Sequence, residues 1–283
     1  MIVKIISDST CDLSPELIAK YGIEILPLHI LLGEEEYLDG VSITPDDIYA
    51  WADANKATPK TSALSMDTPY DAFKAQLEAG NEVVAFAISG EMSTTVNVMR
   101  LAAEDLDATD RIFVIDSRNL STGVGLQVIE AAILAQQGKS AAEIADHIAA
   151  ISPKVRASFV VDTLTYLHRG GRCSGVAAFA GSALKLHPRI AVAEGKMAPG
   201  KKYRGKMDKV ILDYVKDMEA ELRSAKPDRV FITHSGRCEN IIPAVQEYLE
   251  CLGHFDEILV TRAGSVITSH CGPGTLGVLF IAE

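Results

Sequence analysis

The residues of this sequence that are best suited to chemistry lie in four short segments predicted to be loops. These segments share small hydroxyls, a few cations and glycines: Lys60-Thr61-Ser62, Ser93-Thr94-Thr95, Arg169-Gly170-Gly171-Arg172 and Ser269-His270-Cys271-Gly272-Pro273-Gly274. Hydroxyls and free backbone N–H groups at a helix start bind anions, because the helix dipole places partial positive charge there. The segment at 93–95 contains neither Lys nor Arg, so it suits a single carboxylate better than a triphosphate.

The segment at 93–95 follows the most strongly patterned stretch of the chain. Residues 83–88 are a continuous apolar run, which predicts a strand that is buried on both faces. Beyond Met92 the apolar residues recur with a period of about 3.6, which predicts a helix. Ser93 therefore lies at a predicted helix N-terminus. Two interpretations stay open: Ser93 binds an anion, or it is simply the N-cap of the helix.

Metal, nucleotide and esterase chemistry find little support in the sequence. The five cysteines form no CxxC pair, and the seven histidines have no HxxxH or HExxH spacing. Gly138-Lys139-Ser140 lacks the first glycine of a P-loop and follows a predicted helix. The GxGxxG at 272–277 precedes a terminal strand rather than a helix, and no GxSxG is present. We therefore expect no metal site and no dinucleotide site.

Composition and charge narrow the class of protein. At 283 residues, the chain is long for one core and sufficient for two domains. A net charge of −11 argues against a nucleic-acid partner. We expect no membrane-spanning segment and no signal peptide, and the cysteine usage predicts a reducing, cytoplasmic location. One basic cluster (Lys196, Lys201, Lys202, Arg204, Lys206, Lys209) is either a docking face or a merely solvated surface.

The order of predicted elements indicates an α/β fold with two domains. Strands alternate with helices over residues 1–152, which predicts a parallel, doubly wound sheet with helices on both faces. A break at Ser152-Pro153 begins a second α/β domain, residues 153–283, with a small apolar helix at 175–186. Residues 23–32 are predicted as one strand, 206–225 as one long helix, and 266–282 as a hairpin.

Several motifs, taken in order along the chain, resemble the DegV family. They are DSTCDLSPEL (8–17), PKTS (59–62), VIDSRNLSTGVGL (114–126), FVVDTLTYLHRGGRCS (159–174) and SHCGPGTLG (269–277). Each motif alone is weak, but together they are specific and span essentially the whole chain. The resemblance implies two α/β domains that hold a fatty acid such as palmitate, stearate or oleate, and no cofactor. It also implies a partner, a separate fatty acid kinase that phosphorylates the carboxylate.

The resemblance also assigns residues to the ligand's head group. It implies that Thr61, Ser62 and Ser93, with Thr94 beside them, bind the carboxylate. It places Arg172, Arg204 and His270 near the head group and the phosphoryl group. The sequence departs from the family pattern at two of these segments, because Thr94 stands where the family has Gly, and Cys271 stands where it has Thr. For Cys271 we expect a buried, inert thiol.

The tail and the head group of a fatty acid contribute differently to its binding free energy. Each buried CH₂ contributes roughly 0.8 kcal/mol, so a tail of about 16 carbons offers on the order of 12 kcal/mol before association costs. We therefore expect a narrow apolar tunnel, although each of its residues taken singly fits an ordinary core (Ile88, Phe159, Ala178, Phe179, Leu184). Two other hypotheses stay open. One is a hydrolase or transferase that acts on an acyl ester or acyl phosphate through Ser93 and His270, and the other is a scaffold without a small ligand.

Overall fold

The computed structural model describes residues 2–173 and 186–283. The first part of the chain contains β1 (Val3–Asp8), α1 (Pro15–Tyr21), β2 (Glu24–Leu26), β3 (His29–Leu32), β4 (Glu35–Leu38), α2 (Pro45–Asn55), β5 (Lys60–Ser62), α3 (Asp67–Glu78), β6 (Glu82–Ala87), α4 (Thr95–Asp105), β7 (Ile112–Asp116), α5 (Thr122–Gln136) and α6 (Ala141–Ile151). The second part contains β8 (Val155–Val160), α7 (Thr165–Gly170), β9 (Leu186–Ala193), β10 (Lys196–Arg204), α8 (Met207–Asp217), α9 (Glu219–Arg223), β11 (Ala225–His234), α10 (Ile242–Leu252), β12 (Glu257–Arg262), α11 (Ser265–Cys271) and β13 (Leu276–Ala282).

The predicted parallel, doubly wound sheet is confirmed. Its four strands are all parallel and lie in the order β2-β1-β6-β7. Side chains of β6 alternate between the two faces, with Val83 and Ala85 packed in the cluster that includes α4. Val84 and Phe86 pack in the cluster that includes α5. Helices therefore cover both faces.

A second, mixed sheet of six strands follows, in the order β10-β9-β8-β13-β11-β12. Only its pair β11–β12 is parallel, and its other neighbours are antiparallel. Helix α5 packs between the two sheets, because Val124 and Val128 share a buried cluster with Phe231 and Leu279. This mixed α/β part agrees with the sequence interpretation. The domain boundary at 152/153 stays a prediction, and the predicted small helix lies outside the described residues, except for Leu186, which begins β9.

A third, small sheet corrects the prediction of one strand over residues 23–32. The chain leaves the parallel sheet at Pro27, which has no N–H to donate. It continues as β3, which pairs with β4 and β5 in a separate antiparallel sheet. In this sheet Ile30 pairs with Thr61, so the small sheet positions the first predicted head-group residue.

Two other predictions are wrong in ways that matter for packing. The helix predicted over 206–225 breaks at Met218, and Ala225 begins β11 because it pairs with Ala282 of β13. The hairpin predicted over 266–282 is instead α11 followed by β13. Helix α11 is β-branched and weak by propensity, and two distant carboxylates cap its start. Asp12 accepts the N–H of Gly264 at 2.8 Å, and Asp39 accepts the N–H of Ser265 at 2.7 Å.

Candidate functional site

The candidate site lies at the carboxyl edge of the parallel sheet, where the direction of strand order changes between β1 and β6. Open α/β sheets bind ligands at this kind of edge because neighbouring loops diverge there. The carboxylate of Asp8, at the end of β1, accepts the N–H of Ile88 at the end of β6, at 2.8 Å. Burial raises the pKa of Asp8 to about 6. The two strand ends are thus joined at the base of the site.

A cavity of about 520 Å³ opens between the two sheets at this edge. Its volume lies within the roughly 300–1,000 Å³ that is usual for small-molecule sites. Ile88 and Phe159, both predicted to line a tunnel, do line this cavity, whereas Ala178, Phe179 and Leu184 lie outside the described residues. The other large apolar residues of its wall come from both parts of the chain (Leu28, Met92, Leu120, Leu167, Met197, Val266, Ile267, Leu279).

Helix α11 forms one long side of the cavity. Val266, Ile267, His270 and Cys271 all line it, and their spacing of three to four residues places them on one helical face. Ala263, just before the helix, lines the cavity as well. The helix spans about 10 Å at 1.5 Å per residue, so the wall has an apolar start and an imidazole at its other end.

At the His270 end, the side chains form a polar mouth. The hydroxyl oxygen Oγ1 of Thr61 lies 2.8 Å from Nε2 of His270. The other ring nitrogen, Nδ1, packs against Gly170, where an added Cβ would lie 2.5 Å from it. Burial and the neighbouring charge of Arg172 lower the pKa of His270 to about 4. The imidazole is therefore neutral at pH 7 and offers a hydrogen bond rather than a charge.

Arg172 supplies the positive charge at this mouth. Its guanidinium donates to the carbonyl of Gly170 at 2.8 Å and makes a long contact of 3.5 Å to the carbonyl of Met92. The side chain is exposed and lines the cavity. It therefore bridges the end of α7 and the loop that carries Ser93.

Ser93 and Thr94 line the same cavity as Thr61 and Ser62. The interpretation of Ser93 as the N-cap of the helix is wrong, because α4 begins at Thr95 and its N-cap is Thr94. Ser93 Oγ instead accepts the N–H of Thr95 at 3.3 Å and lies 3.0 Å from its hydroxyl. Thr94 has a φ of −83°, so its backbone does not need the glycine that the family has there.

Arg204 is the predicted head-group residue that the structure does not bring to the cavity. Among the described residues, those of β10 that line the cavity include Met197 but not Arg204, which lies at the other end of the strand. The role of Arg204 at the head group stays a prediction.

Three lysines of the basic cluster pair with acids: Lys196 with Glu91 at 3.2 Å, Lys201 with Asp217 at 2.5 Å and Lys209 with Asp213 at 3.0 Å.

Sequence reasoning missed the buried acids beside the cavity. Asp12 accepts the hydroxyl of Ser121 at 2.5 Å in addition to the N–H of Gly264. Burial raises the pKa of Asp12 to about 8, and burial also raises the pKa of Asp39. Ser121 lines the cavity with a φ of 53°, a backbone that non-glycine residues seldom adopt. The DST and DL motifs carried the signal for Asp12, since they place one carboxyl at the end of a buried strand and another four residues beyond it, whereas Asp39 lies in neither motif.

The buried thiol of Cys271 behaves as the sequence interpretation expected. Burial raises its pKa to about 12, so it lines the cavity as a small neutral group. Within residues 2–173 and 186–283, no group of three or more His, Cys, Asp or Glu side chains is arranged to hold a metal ion. In the same residues, every helix is too short or too polar to cross a bilayer.

The two competing hypotheses from the sequence meet the geometry differently. An acyl hydrolase built on Ser93 needs a hydrogen bond of about 2.6–3.2 Å from that hydroxyl to its base. Here the hydroxyl of Ser93 contacts Thr95, and His270 Nε2 contacts Thr61. A scaffold without a ligand predicts a cleft filled by side chains, whereas the cleft holds about 520 Å³ of space.

These features define an α/β protein with two sheets and a largely apolar ligand cavity, which ends at hydroxyl, imidazole and guanidinium groups. A family model described as "Uncharacterised protein, DegV family" matches residues 2–283. The chain belongs to the DegV family.

Relatives and solved structures cover the chain almost completely. The chain is similar to a DegV domain-containing protein of Deinococcus radiodurans, with 34% identity over 278 residues and 98% of each chain covered. It is similar to a fatty-acid-binding DegV family protein from Thermus thermophilus, with a TM-score of 0.91, 31% identity and 100% of both chains covered. A stearic-acid-binding protein from Eubacterium ventriosum has a TM-score of 0.86 and 28% identity, with 99% of this chain and 98% of that chain covered.

Proposed function

We propose that this protein binds one long-chain fatty acid, with the tail in the apolar cavity and the carboxylate at the mouth formed by Thr61, Ser62, Ser93 and Thr94. The observation that carries the proposal is the cavity itself, which is apolar along α11 and polar where His270 meets Thr61. The fatty-acid-binding relatives from Thermus thermophilus and Eubacterium ventriosum support the same ligand class.

The energetics favour an apolar tail with an anionic head. Burial of about 16 carbons contributes on the order of 12 kcal/mol before association costs, whereas one hydrogen bond to a charged group contributes about 1.5–3 kcal/mol. Affinity therefore comes mainly from the tail. The hydroxyls fix which end of the ligand faces the mouth. Because His270 is neutral, it can donate a hydrogen bond to the carboxylate or to Thr61 while the carboxylate keeps its negative charge.

We further propose that the bound carboxylate is presented to a fatty acid kinase, which transfers a phosphoryl group to it. Hydroxyl groups hold the carboxylate without a buried ion pair, so one of its oxygens stays available as the nucleophile. Arg172 is exposed at the mouth, and its guanidinium suits the extra negative charge of an acyl phosphate.

Binding and presentation are tested separately. Delipidated protein titrated with palmitate and oleate should bind both, and 1-hexadecanol should bind more weakly than palmitate because it lacks the anionic head. Presentation is tested by adding a purified bacterial fatty acid kinase and ATP, then trapping acyl phosphate with hydroxylamine as the hydroxamate. Hydroxamate formation that depends on this protein supports presentation. Binding without any hydroxamate leaves the carrier proposal standing and contradicts presentation to that kinase.

A further inference from the structure

The tip of the β9–β10 hairpin lies against the loop that carries Ser93. The buried hydroxyl of Ser89 donates to the carbonyl of Gly195 at 2.7 Å. Gly195 has a φ of +78°, and an added Cβ there would lie 2.6 Å from Ser89 Oγ and 3.3 Å from Cγ of Glu91. Only glycine permits this approach, since a side chain would strain the backbone and displace the loop.

Ser89 also accepts hydrogen bonds from three backbone amides of the loop that carries Ser93. Its carbonyl accepts the N–H of Met92 at 2.9 Å and the N–H of Ser93 at 3.1 Å. Its hydroxyl oxygen accepts the N–H of Glu91 at 3.3 Å. The carbonyl of Ser89 therefore fixes the amides of both Met92 and Ser93, each through one backbone hydrogen bond.

Two ion pairs flank the contact with Gly195. Glu91 pairs with Lys196 at 3.2 Å, and Arg118 pairs with Glu194 at 2.9 Å. These side chains are exposed, so each pair contributes little to stability. The buried hydrogen bond and the steric fit at Gly195 are the stronger restraints.

We propose that the Ser89–Gly195 contact positions Ser93 for the carboxylate of the ligand, which makes Ser89 a positioning residue of the mouth. This inference rests on the proposed binding of a fatty acid. Ser93 lines the cavity, whereas Ser89 is not among the described residues that do. Ser89 therefore acts through Ser93, and its effect on affinity depends on a ligand with an anionic head.

The first test is a double-mutant cycle with Ser89→Ala and Ser93→Ala, with palmitate and 1-hexadecanol as the probes. Ser89→Ala should weaken palmitate binding about 3- to 10-fold, as expected for loss of one hydrogen bond, and leave hexadecanol binding nearly unchanged. The double variant should bind palmitate about as well as Ser93→Ala alone, because both changes remove the same contact. Independent, multiplying effects, or equal losses for both probes, would overturn the positioning role.

The second test needs no ligand. Amide hydrogen exchange at Met92 and Ser93 should be faster in Ser89→Ala than in the wild type, because their acceptor is less fixed. Ser152→Ala is the matched control, since its hydroxyl also donates to a backbone carbonyl, that of Ser117 at 3.2 Å, outside the cavity. Unchanged exchange at both amides contradicts the inference even if palmitate binds. A wild-type protein that binds no fatty acid contradicts the proposed function instead, whatever the exchange rates show.

Discussion

The hydroxyl of Thr61 and the imidazole of His270 lie 2.8 Å apart, although the two residues are 209 positions apart in the chain. One comes from the small antiparallel sheet and the other from α11, so the mouth exists only when these elements are packed together. We expect Thr61→Val, which keeps the shape and removes the hydroxyl, to weaken palmitate binding about 10- to 150-fold, as for a hydrogen bond to a charged group.

Titration calorimetry with delipidated protein measures this effect. The exposed Thr109 provides the matched control, and Thr109→Val should bind palmitate like the wild type. If Thr61→Val binds palmitate with unchanged affinity, the carboxylate does not sit at this end of the cavity.

The protonation state of His270 gives a second prediction. Burial and Arg172 lower its pKa to about 4, so the imidazole should stay neutral from pH 8 to pH 5, where an unperturbed histidine titrates near pH 6.5. NMR of the imidazole in ligand-free protein measures this directly. Arg172→Gln should raise the midpoint, because removal of a positive neighbour makes protonation easier. A midpoint near 6.5 in the wild type would show that the ring is solvated rather than buried.

The buried carboxyl of Asp12 predicts an unusual dependence of stability on pH. Burial raises the pKa of Asp12 from its ordinary value of 3.8 to about 8 in the folded state, so the folded state holds a proton that the unfolded state releases. Its contribution to stability is fully present below pH 3.8 and is lost as the pH rises to about 8, by at most about 1.4 kcal/mol per pH unit.

Asp12→Asn tests this sign, because the amide has no such proton. The free energy of unfolding of the wild type minus that of the variant, as measured by urea denaturation, should decrease as the pH rises from 5 to 8. Asp110→Asn, at an exposed turn, serves as the control. A difference that stays constant or grows with pH would mean that Asp12 is charged in the folded protein.

The acyl chain length that the protein prefers should depend on the space at the end of the cavity farthest from His270. Ala263 lines the cavity just before the first turn of α11, whereas His270 lies in the last turn. If the carboxylate is held near His270, Ala263→Leu should shift the preferred acyl chain towards shorter lengths, with a loss of about fourfold for each methylene displaced. Competition between saturated acids of increasing length measures the shift, with the exposed Ala79→Leu as control. An unaltered length preference would place the tail elsewhere.

Local signals in the sequence were sufficient for much of the fold. Ser14 and Pro15 are a helix-start signal that is visible in the sequence, and the side chain of Ser14 accepts the N–H of Leu17 at the start of α1. The Ser140 and Glu143 capping box likewise begins α6. In such cases the residues that determine where the helix begins lie within one turn of each other, so the helix start can be predicted from the sequence alone.

Helix α11 shows why elements that depend on contacts between distant residues could not be predicted from the sequence. Its residues favour a strand by propensity, and its start is fixed by Asp12 and Asp39, which lie 252 and 226 positions away from their partners. The family motifs predicted that Thr61 and His270 lie near the head group, but not that these two side chains contact each other. The end of the predicted long helix at Arg223 has the same origin, because Ala225 pairs with Ala282 of β13, which is distant in the chain.

Native mass spectrometry of the protein purified from a bacterial host, under gentle conditions, tests the central claim most directly. The account predicts one bound species per chain with the mass of a long-chain fatty acid, which is released on denaturation and replaced by added palmitate or oleate. A protein that is purified without a ligand and also takes up neither added acid would contradict it.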